Sequence, residues 1–532
     1  MDKIRIRNLR SLKDTGEVEL KPLTLLVGKN SSGKSTFLRV FPLFKQTLET
    51  NTNEPILWYS SRYVDFGSFN ESLNKLAKKE DTNDKFISFD FEFSLSKDIV
   101  NRETRLNNRL FYYRDLKNFD NSQINEGNTQ FRVSIDTSKK HLNKITIQLE
   151  DHHLEITITK DDKINKCVLT INGEILTNNL QVEYSKDYSH LLPKLFADKD
   201  LLSSDEYFKS KLFTILQSMS HAATKDETID DFITGIRFGN SEDFMKSLKE
   251  QSTTANILLE KIRALDPKSE ILKEILNNYL GMQINRFISI CNNYIEQYFS
   301  SVNYIAPLRA SAERYYRIQG LSVDDIDPQG ENIPMIFHNM SFQEKYEYNI
   351  WLLGNFGFQI TSNFEGGHSS ISIKYNNGQE VNLADTGFGY SQILPITIVL
   401  WQISKKQEKE ENSLYMFLNP KYKFFNIVIE QPELHLHPSL QAKLIDTFAK
   451  IIVLCKAREI DVKIIIETHS ETMINRVGYL IAKKIESFNK DLVNVVIFEN
   501  DEVFDTKLET TGYSEKGYLI KWPLGFFEPE GI

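Results

Sequence analysis

Hydrophobic and polar positions alternate with two different periods along this chain. Near the start, Ile4 and Ile6 alternate with arginines, as in a half-buried strand, and the apolar run at 23–27 is typical of a buried strand. Residues 35–48 carry apolar side chains at helical spacing without a glycine, and Pro42 is a point where that helix is expected to bend. The pattern therefore predicts strand, turn, strand and helix.

The middle of the chain has a β-rich part followed by a helical part. Between residues 86 and 183, short alternating runs predict successive strands, and Asn172-Gly173 predicts a tight hairpin turn. The runs are FISFDFEFSL, FRVSID, KITIQLE, LEITIT, CVLTING and LQVEY. Residues 190–300 are mainly helical in pattern, but their apolar positions hold no long heptad repeat, which argues against a long coiled-coil arm.

Strands and helices alternate again after residue 371. ISIKYN and QEVNL predict a pair of strands. Further along, strands are predicted at 424–430, 462–467 and 493–500, and helices at 391–404, 439–456 and 471–486. Alternation of this kind predicts an α/β fold with a largely parallel sheet covered by helices.

Composition narrows the class of protein. A chain of 532 residues is too long for one core, and a net charge of −9 argues against a protein that coats nucleic acid with a uniformly basic surface. No apolar run approaches the ~18–20 residues that cross a bilayer, and the first residues lack the apolar core of a signal peptide. The three cysteines form no CxxC pair. We expect a cytoplasmic protein with no membrane partner.

Residues 28–36, GKNSSGKST, match the phosphate-binding pattern GxxxxGK[ST] between a buried strand and a helix. Gly28 and Gly33 let the backbone curl so that its N–H groups face phosphate oxygens, and Lys34 supplies a positive charge. Ser35 supplies an oxygen to Mg²⁺. The other loop residues expected at the nucleotide are Asn30, Ser31, Ser32 and Thr36. The loop therefore predicts ATP and Mg²⁺ as ligands.

Three downstream segments are candidates for the other half of such a site. The strand FFNIVIE ends in Glu430, where a carboxylate can hold Mg²⁺ through water. IIIETHS places His469 after another strand, within reach of a terminal phosphate. DTGFGYSQ, residues 385–392, predicts an open glycine-rich turn before a helix, whose exposed N-terminus suits a phosphate. Taken alone, His469 is more typical of a satisfied loop histidine, and the glycine-rich turn is as typical of an ordinary loop as of a phosphate site.

Taken in order, these motifs resemble the ABC-type (Rad50/SMC-like) ATPase heads of the SMC, RecF and OLD group. More narrowly, the chain resembles bacterial AAA-family ATPases with RecF/OLD-like heads from anti-phage defence, of the Septu, PARIS or retron-associated type. The resemblance covers residues 1–95 and 301–532. Its stretches are IRIRNLRSLKDTGEVELKPLTLLVG, YVDFGSF, YIAPLRASAERYY and KWPLGFFEPEG.

The resemblance implies a domain plan. Residues 1–95 would be the N-terminal half of the head with the phosphate loop, and 301–532 its C-terminal half with the signature, Walker B strand and switch histidine. Residues 96–189 would be a β-rich insertion and 190–300 a helical insertion.

The resemblance also implies a dimer. Four residues correspond to the signature motif that faces the partner subunit's nucleotide: Gly387, Gly389, Ser391 and Gln392. His435 to Pro438 fall where the D-loop contacts the partner, and His469 matches the switch histidine. A homodimer or higher homo-oligomer is expected.

The chain departs from the family pattern at the catalytic acid. The usual metal-binding acid is followed at once by a catalytic glutamate, but here the pair is Glu430-Gln431. Because glutamine cannot accept a proton from water, general-base help is lost at that position, and Glu433 is the candidate substitute. We expect slow but non-zero hydrolysis, since phosphoryl transfer depends mostly on positioning and electrostatics.

Some residues carry two interpretations. Glu433, His435 and His437 alternate and could bind a metal, although an interface loop is favoured. Arg309 could face the nucleotide, although a structural ion pair is favoured. Tyr315 and Tyr316 could stack on nucleic acid, although core packing is favoured.

The resulting functional hypothesis is a defence ATPase that senses a trigger and controls a separate effector protein, a nuclease. The alternative is a DNA-repair ATPase of the RecF/SMC type that acts on DNA ends or gaps, so nucleic acid stays open as a partner. A nuclease domain in the same chain is disfavoured because only 63 residues follow His469 (532 − 469). A coiled-coil clamp and a membrane transporter subunit are disfavoured too.

The phosphate-loop motif generates the first prediction. Replacing Lys34 with alanine removes the charge that meets the β- and γ-phosphates, so ATP affinity should fall below detection while the fold persists. Isothermal titration with ATP and Mg²⁺, with circular dichroism as the control for folding, measures both properties. Unchanged affinity in a folded Lys34→Ala protein would refute the motif assignment.

Overall fold

The computed structural model describes residues 1–52, 54–77, 85–105, 127–139, 141–160, 165–183, 190–197, 202–317, 325–365, 368–375, 377–405, 422–502 and 505–522. Most of the stretch KWPLGFFEPEG lies outside these residues. The strands are β1 (Lys3–Leu9), β2 (Leu12–Asp14), β3 (Val18–Glu19), β4 (Leu23–Gly28), β5 (Ile87–Ser96), β6 (Asn128–Thr137), β7 (Leu142–Leu149), β8 (His152–Lys160), β9 (Asn165–Ile171), β10 (Glu174–Glu183), β11 (Lys194–Ala197), β12 (Leu202–Ser203), β13 (Val302–Ile305), β14 (Tyr316–Arg317), β15 (Phe358–Glu365), β16 (His368–Tyr375), β17 (Glu380–Asn382), β18 (Phe424–Glu430), β19 (Asp461–Glu467), β20 (Val493–Glu502) and β21 (Asp505–Thr511). The helices are α1 (Lys34–Leu38), α2 (Val40–Glu49), α3 (Phe69–Ser72), α4 (Lys97–Arg105), α5 (Ser204–Met219), α6 (Asp226–Gly235), α7 (Ser241–Lys249), α8 (Asn256–Arg263), α9 (Glu270–Ser300), α10 (Ile333–Asn339), α11 (Phe342–Phe356), α12 (Phe388–Lys405), α13 (Pro438–Ala457) and α14 (Glu471–Lys483).

The chain forms two compact units. The first contains residues 1–4, 48–55 and 84–296, and the second contains 5–47, 56–83 and 297–532. The two predicted insertions thus share one compact unit. Compactness and evolutionary origin are different properties, so the four-part division stays a proposal.

The first unit is built on an antiparallel meander. Strands β5 to β12 each pair with the next one along the chain. Asn172 and Gly173 connect β9 to β10 with φ of 50° and 83°, the left-handed conformation that a two-residue hairpin turn requires. Helices α5 to α8 and most of α9 follow in sequence. The predicted strands and the hairpin are confirmed. The region from residue 190 is mainly helical as predicted, but it begins with the short strands β11 and β12, which continue the meander before α5 starts at Ser204.

The second unit is organised by a six-stranded sheet in the order β13-β18-β19-β4-β20-β21. All neighbouring pairs are parallel except β20 with β21. Every residue of β4 is buried, and β18 and β19 each bury six of their seven residues. The predicted α/β fold with a mixed, largely parallel sheet is confirmed.

Strand register sets the layout of one edge of this sheet. Glu430 pairs with Glu467 in the β18–β19 ladder, and Glu467 pairs with Leu26 in the β19–β4 ladder. Since β4 ends at Gly28, the phosphate loop and both glutamates emerge at the same carboxyl edge. This edge is where open α/β sheets bind ligands.

The helix after the phosphate loop is interrupted where the sequence predicted only a bend. Helix α1 ends at Leu38 and α2 begins at Val40, with Arg39 between them. Pro42 has no N–H to donate to the carbonyl of Leu38, which removes one hydrogen bond from a continuous helix. The interruption therefore lies one turn before the proline, at Arg39.

Helices α12, α13 and α14 bury apolar faces in the core of the second unit. Residues 391–401 of α12 are buried throughout, including Pro395. A smaller antiparallel sheet, in the order β14-β16-β15 with β17 on β16, contains the predicted strand pair ISIKYN and QEVNL. Among the described residues, no helix has the length and apolarity to span a bilayer.

Candidate nucleotide-binding site

The loop between β4 and α1 has the conformation that glycine permits. Gly28 has a φ of 148°, and a Cβ there would lie 2.3 Å from the carbonyl oxygen of Phe498. Gly33 has a φ of 94°, and its Cβ would lie 2.8 Å from Ser11 Oγ. Side chains at either position would open the loop, so both glycines are required for the curl predicted from the motif.

Polar groups of the loop are arranged for an anionic ligand. Lys34 is buried, and its Nζ donates to the carbonyl oxygens of Gly28 and Lys29 at 2.9 and 2.8 Å. Burial lowers the pKa of Lys34, with Glu467 opposing that shift. The Ser32 hydroxyl is buried and has no hydrogen-bond partner in the part of the chain that the structure describes. A phosphate would satisfy such a donor, so these residues fit a nucleotide.

The remaining loop residues lie around this curl. Asn30 and Ser31 are exposed, and Ser31 has a positive φ of 61°. Thr36 is partly buried in α1. Their contacts with a nucleotide stay a prediction.

Glu467, which the sequence analysis passed over, contacts the phosphate-loop serine. Ser35 Oγ donates to Glu467 Oε2 at 2.7 Å, and Lys34 Nζ lies 3.9 Å from Glu467 Oε1. Glu467 is 3% exposed; its pKa is raised by burial, and the adjacent charge of Glu430 adds to that rise while Ser35 opposes it. A serine hydroxyl and a carboxylate at the β- and γ-phosphate position fit Mg²⁺, which takes oxygen ligands and keeps several waters.

Glu430, the acid chosen from the sequence, has other partners. Arg39 holds it in a bidentate pair, with Nε to Oε1 at 2.7 Å and Nη2 to Oε2 at 2.8 Å. The Tyr304 hydroxyl donates to Oε1 at 2.6 Å. Glu430 raises the pKa of Arg39, which therefore keeps its charge. A metal role for Glu430 stays a prediction, and it would require Arg39 or Tyr304 to yield.

Strands β18 and β19 both end in glutamate, and this shared ending is the feature of the sequence from which Glu467 could have been predicted as a site residue. FFNIVIE and VKIIIE have the same form, and parallel strands that end in register place such residues side by side. The family pattern includes the first glutamate and the histidine after the second, so the sequence indicates those residues rather than Glu467.

Glu433 and His469 meet at the same edge. Glu433 accepts hydrogen bonds from Thr468 Oγ1 at 2.9 Å and from the His469 backbone N–H at 2.6 Å. Burial raises the pKa of Glu433. Burial and the charge of Lys34 lower the pKa of His469 to about 4, so its ring is neutral at pH 7. Glu433 thus has the raised basicity of a candidate general base, and that role stays a prediction.

The HLHP turn, residues 435–438, contains two histidines whose side chains contact different neighbours. His437 caps α13, accepting from the Ser439 backbone N–H at 3.2 Å. His435 has a φ of 61° and lies against the Phe388 ring at 5.6 Å. In the part of the chain that the structure describes, no group of three or more histidine, cysteine, aspartate or glutamate residues is arranged to hold a metal. The alternative of a Glu433–His435–His437 metal site therefore has no support in the geometry.

The glycine-rich turn presents some of its residues and buries others. Helix α12 begins at Phe388, three residues before the predicted start at 391. Gly387 and Phe388 are exposed, whereas a Cβ on Gly389 would lie 2.8 Å from the His435 carbonyl oxygen. Glycine therefore permits the turn and the HLHP loop to touch.

Ser391 and Gln392 face inward instead of opening the helix. Ser391 Oγ donates to the Phe388 carbonyl at 2.9 Å, and Gln392 Nε2 donates to the Arg309 carbonyl at 3.2 Å. Since the helix starts one turn earlier, these side chains lie within it. The role of the four signature residues toward a partner stays a prediction.

Arg309 forms no structural ion pair among the described residues, contrary to the favoured interpretation. Its Nη2 donates to the backbone carbonyl of Glu430 at 3.1 Å. Tyr315 is exposed rather than packed in the core, whereas Tyr316 is partly buried against the core and its hydroxyl accepts from the Glu313 N–H.

Comparison with known proteins identifies the family. A family model described as AAA ATPase domain matches residues 1–474. The chain belongs to the AAA ATPase domain family. No curated protein matches it.

Solved structures similar to this AAA ATPase domain include SMC head domains. The head domain from Pyrococcus furiosus, with an extended coiled coil and bound to the C-terminal domain of ScpA, has 11% identity and a TM-score of 0.32, over 96% of this chain and 95% of that one. The Thermotoga maritima head domain has 8% identity and a TM-score of 0.31, over 96% and 97%. The head domain with a coiled coil and joint from Pyrococcus yayanosii has 11% identity and a TM-score of 0.31, over 97% and 98%.

Charges of both signs lie together at the carboxyl edge of this ATPase domain. Three cations, Lys34, Arg39 and Arg309, lie among three carboxylates, Glu430, Glu433 and Glu467. Arg39 and Lys34 each contact a carboxylate, whereas Arg309 has no ion pair among the described residues. In a buried site of low dielectric an unmatched charge is costly. ATP would bring more negative charge than Arg309 alone balances, so it would bind together with Mg²⁺.

The Ser35–Glu467 contact generates a prediction about the metal. Replacing Glu467 with glutamine keeps the shape but removes a hard anionic oxygen, so Mn²⁺ affinity in the presence of ATP should fall on the order of tenfold or more. Electron paramagnetic resonance of bound Mn²⁺ measures this without depending on turnover.

Glu430→Gln is the matched comparison. It should lower the melting temperature, because it breaks the pair with Arg39, while Mn²⁺ affinity changes less than in Glu467→Gln. The reverse order of metal affinities would assign the metal to Glu430, as the sequence analysis did.

Proposed function

We propose that this ATPase hydrolyses ATP slowly, closes two heads around two nucleotides, and thereby controls a separate effector protein, a nuclease, in cytoplasmic anti-phage defence. The arrangement at the end of β18 carries the proposal. Gln431 stands where a catalytic glutamate is expected, and Glu430 beside it is held by Arg39 and Tyr304. A site built this way favours a long-lived ATP-bound state over rapid turnover.

Slow hydrolysis suits a switch. A clamp that stays closed while ATP persists can hold or release a partner protein for the lifetime of the nucleotide. Glu433 supports a residual rate, because burial raises the pKa of its carboxyl toward the working range of a general base. Both of its oxygens accept hydrogen bonds, however, which restrains it.

The exposed glycine-rich turn supports a two-headed arrangement. Gly387 and Phe388 are exposed to solvent, with Phe388 60% exposed and its ring 5.6 Å from that of His435. An exposed aromatic beside an exposed glycine is typical of a contact surface. In the proposed dimer this turn completes the partner's nucleotide site.

The defence role and the effector rest on the resemblance described from the sequence. The net charge of −9 suits a protein partner at least as well as bulk nucleic acid. The helical segment 190–300 is the proposed docking region, because its helical pattern carries apolar positions without a heptad repeat.

The rate of hydrolysis is predicted to respond to residues 431 and 433. Gln431→Glu restores a proton acceptor, so phosphate release should stay equal or rise, whereas Glu433→Gln should lower it by about a hundredfold. Steady-state phosphate release at saturating ATP measures both. Glu459→Gln, an exposed change on another loop, is the control for loss of one charge. Full activity in Glu433→Gln would exclude it as the base.

The two-component arrangement is tested on the purified chain. With ATP, light scattering should show a doubled mass for the wild type and an unchanged mass for Lys34→Ala. In a separate assay, the purified chain should leave plasmid, single-stranded DNA and tRNA intact. Mixed Lys34→Ala and Ser391→Arg chains should recover at most one working site per dimer. A monomer that hydrolyses ATP fully would contradict the dimer, and metal-dependent cleavage by the pure chain would contradict the separate effector.

A further inference from the structure

Arg309 lies at the carboxyl edge of the six-stranded sheet. It follows β13, which pairs in parallel with β18 so that Ile305 lies beside Ile429. Backbone hydrogen bonds from Ala306 to Pro328 and from Ala310 to Gln329 hold the segment on both sides of the arginine. Arg309 is therefore held by the fold at the edge where the phosphate loop ends.

The guanidinium of Arg309 is buried with two of its donor groups unused. The residue is 6% exposed, and among the described residues only Nη2 has a hydrogen bond, to the Glu430 carbonyl. Within that part of the chain, Nε and Nη1 are buried without a partner. Burial lowers the pKa of Arg309 to about 10, so it stays charged at neutral pH. A buried cation with unpaired donors is unfavourable by itself, which indicates a missing anion.

The neighbouring carboxylates do not supply that anion. Glu430 is engaged by Arg39 and Tyr304, and both oxygens of Glu433 accept from Thr468 and His469. Glu433 nevertheless feels the charges of both Arg309 and Lys34. Arg309 and the phosphate-loop lysine are thus both close enough to the same carboxylate to interact with its charge.

The backbone of Arg309 contacts the predicted signature helix. Gln392, 4% exposed in the first turns of α12, donates from Nε2 to the Arg309 carbonyl at 3.2 Å. The same residue therefore turns its side chain toward the nucleotide edge and its carbonyl toward α12. Gln392 restrains Arg309 and connects it to the turn at Gly387.

We propose that Arg309 binds the terminal phosphate of a nucleoside triphosphate in its own subunit and is the residue by which the site distinguishes ATP from ADP. This rests on the proposed function in that ATP is the ligand. The unused Nε–H and Nη1–H are charged donors that the planar guanidinium holds in fixed directions, and each can donate to an oxygen of that phosphate, which the single ammonium group of lysine does not reproduce. ADP lacks the terminal group and leaves these donors unpaired.

The experiment compares affinities for a non-hydrolysable ATP analogue and for ADP, both with Mg²⁺, by isothermal titration. In Arg309→Gln, affinity for the analogue should fall tenfold or more while affinity for ADP stays within about twofold, as expected for losing a charged hydrogen bond to one phosphate. Arg309→Lys keeps the charge but loses the planar guanidinium, so its affinity for the ATP analogue should lie between those of the wild type and Arg309→Gln. Arg476→Gln, which breaks a bidentate pair with Asp446 between α13 and α14, is the matched control.

A second measurement separates binding from structural support. Because Arg309 is a buried charge with unpaired donors, the nucleotide-free Arg309→Gln protein should melt at the wild-type temperature or above it. A purely structural arginine would lower the melting temperature and weaken both nucleotides equally, and that outcome would overturn the proposal. If Arg309→Gln does not fold, the same affinity ratio in Arg309→Lys decides.

The outcomes for this residue and for the proposed function are distinct. Wild-type protein that binds neither nucleotide would refute the ATPase and the arginine role together. Wild-type protein that prefers the ATP analogue, with the same preference kept in folded Arg309→Gln, would refute the arginine role and leave the ATPase standing.

Discussion

The in-register ending of parallel strands is the constraint on which the site depends. Because β4, β18 and β19 end at one edge of the sheet, their pairing alone brings together the phosphate loop, Glu430 and Glu467. Two carboxylates side by side in a buried place repel each other, and the pKa of Glu467 rises partly for that reason. The edge is stable only with cations among them.

The cations come from residues that local structure alone would not place there. Lys34 reaches the edge from the first residue of α1, and Arg39 reaches it from the interruption between α1 and α2. Arg39 lies outside both helices, at the break between them, and from there its guanidinium forms the bidentate pair with Glu430. Arg39 and Tyr304 together occupy Glu430, and Glu467 is left to meet Ser35. The two glutamates thereby acquire different partners from nearly identical strand sequences.

The exposed turn and the nucleotide edge are physically continuous within the second unit. Gly389 lies against the His435 carbonyl, Phe388 against the His435 ring, and Gln392 bonds to the Arg309 backbone. The start of α12 is therefore connected to the loops that follow both β13 and β18. In the proposed dimer, such a packed connection would be a route by which occupancy of the nucleotide edge biases the surface offered to the second subunit.

Much of this protein follows from its sequence. Period-two and period-3.6 patterns identify the meander strands, the parallel strands and the helices of the second unit, because side-chain burial follows those periods directly. The phosphate loop can also be predicted from the sequence, since its conformation depends on Gly28 and Gly33 within nine consecutive residues. The substitution at Gln431 is also a property of the sequence alone.

Partner choice among charged residues was decided only by the tertiary structure. Glu430 and Glu467 end similar strands, and Arg39 and Arg309 are 391 and 121 residues from the groups of Glu430 that they bind. Local spacing does not determine which carboxylate meets Ser35, and it does not show that Arg309 is buried without an ion-pair partner among the described residues. Those properties depend on strand register, on a helix broken at one residue and on burial, and these become defined only when distant segments pack together.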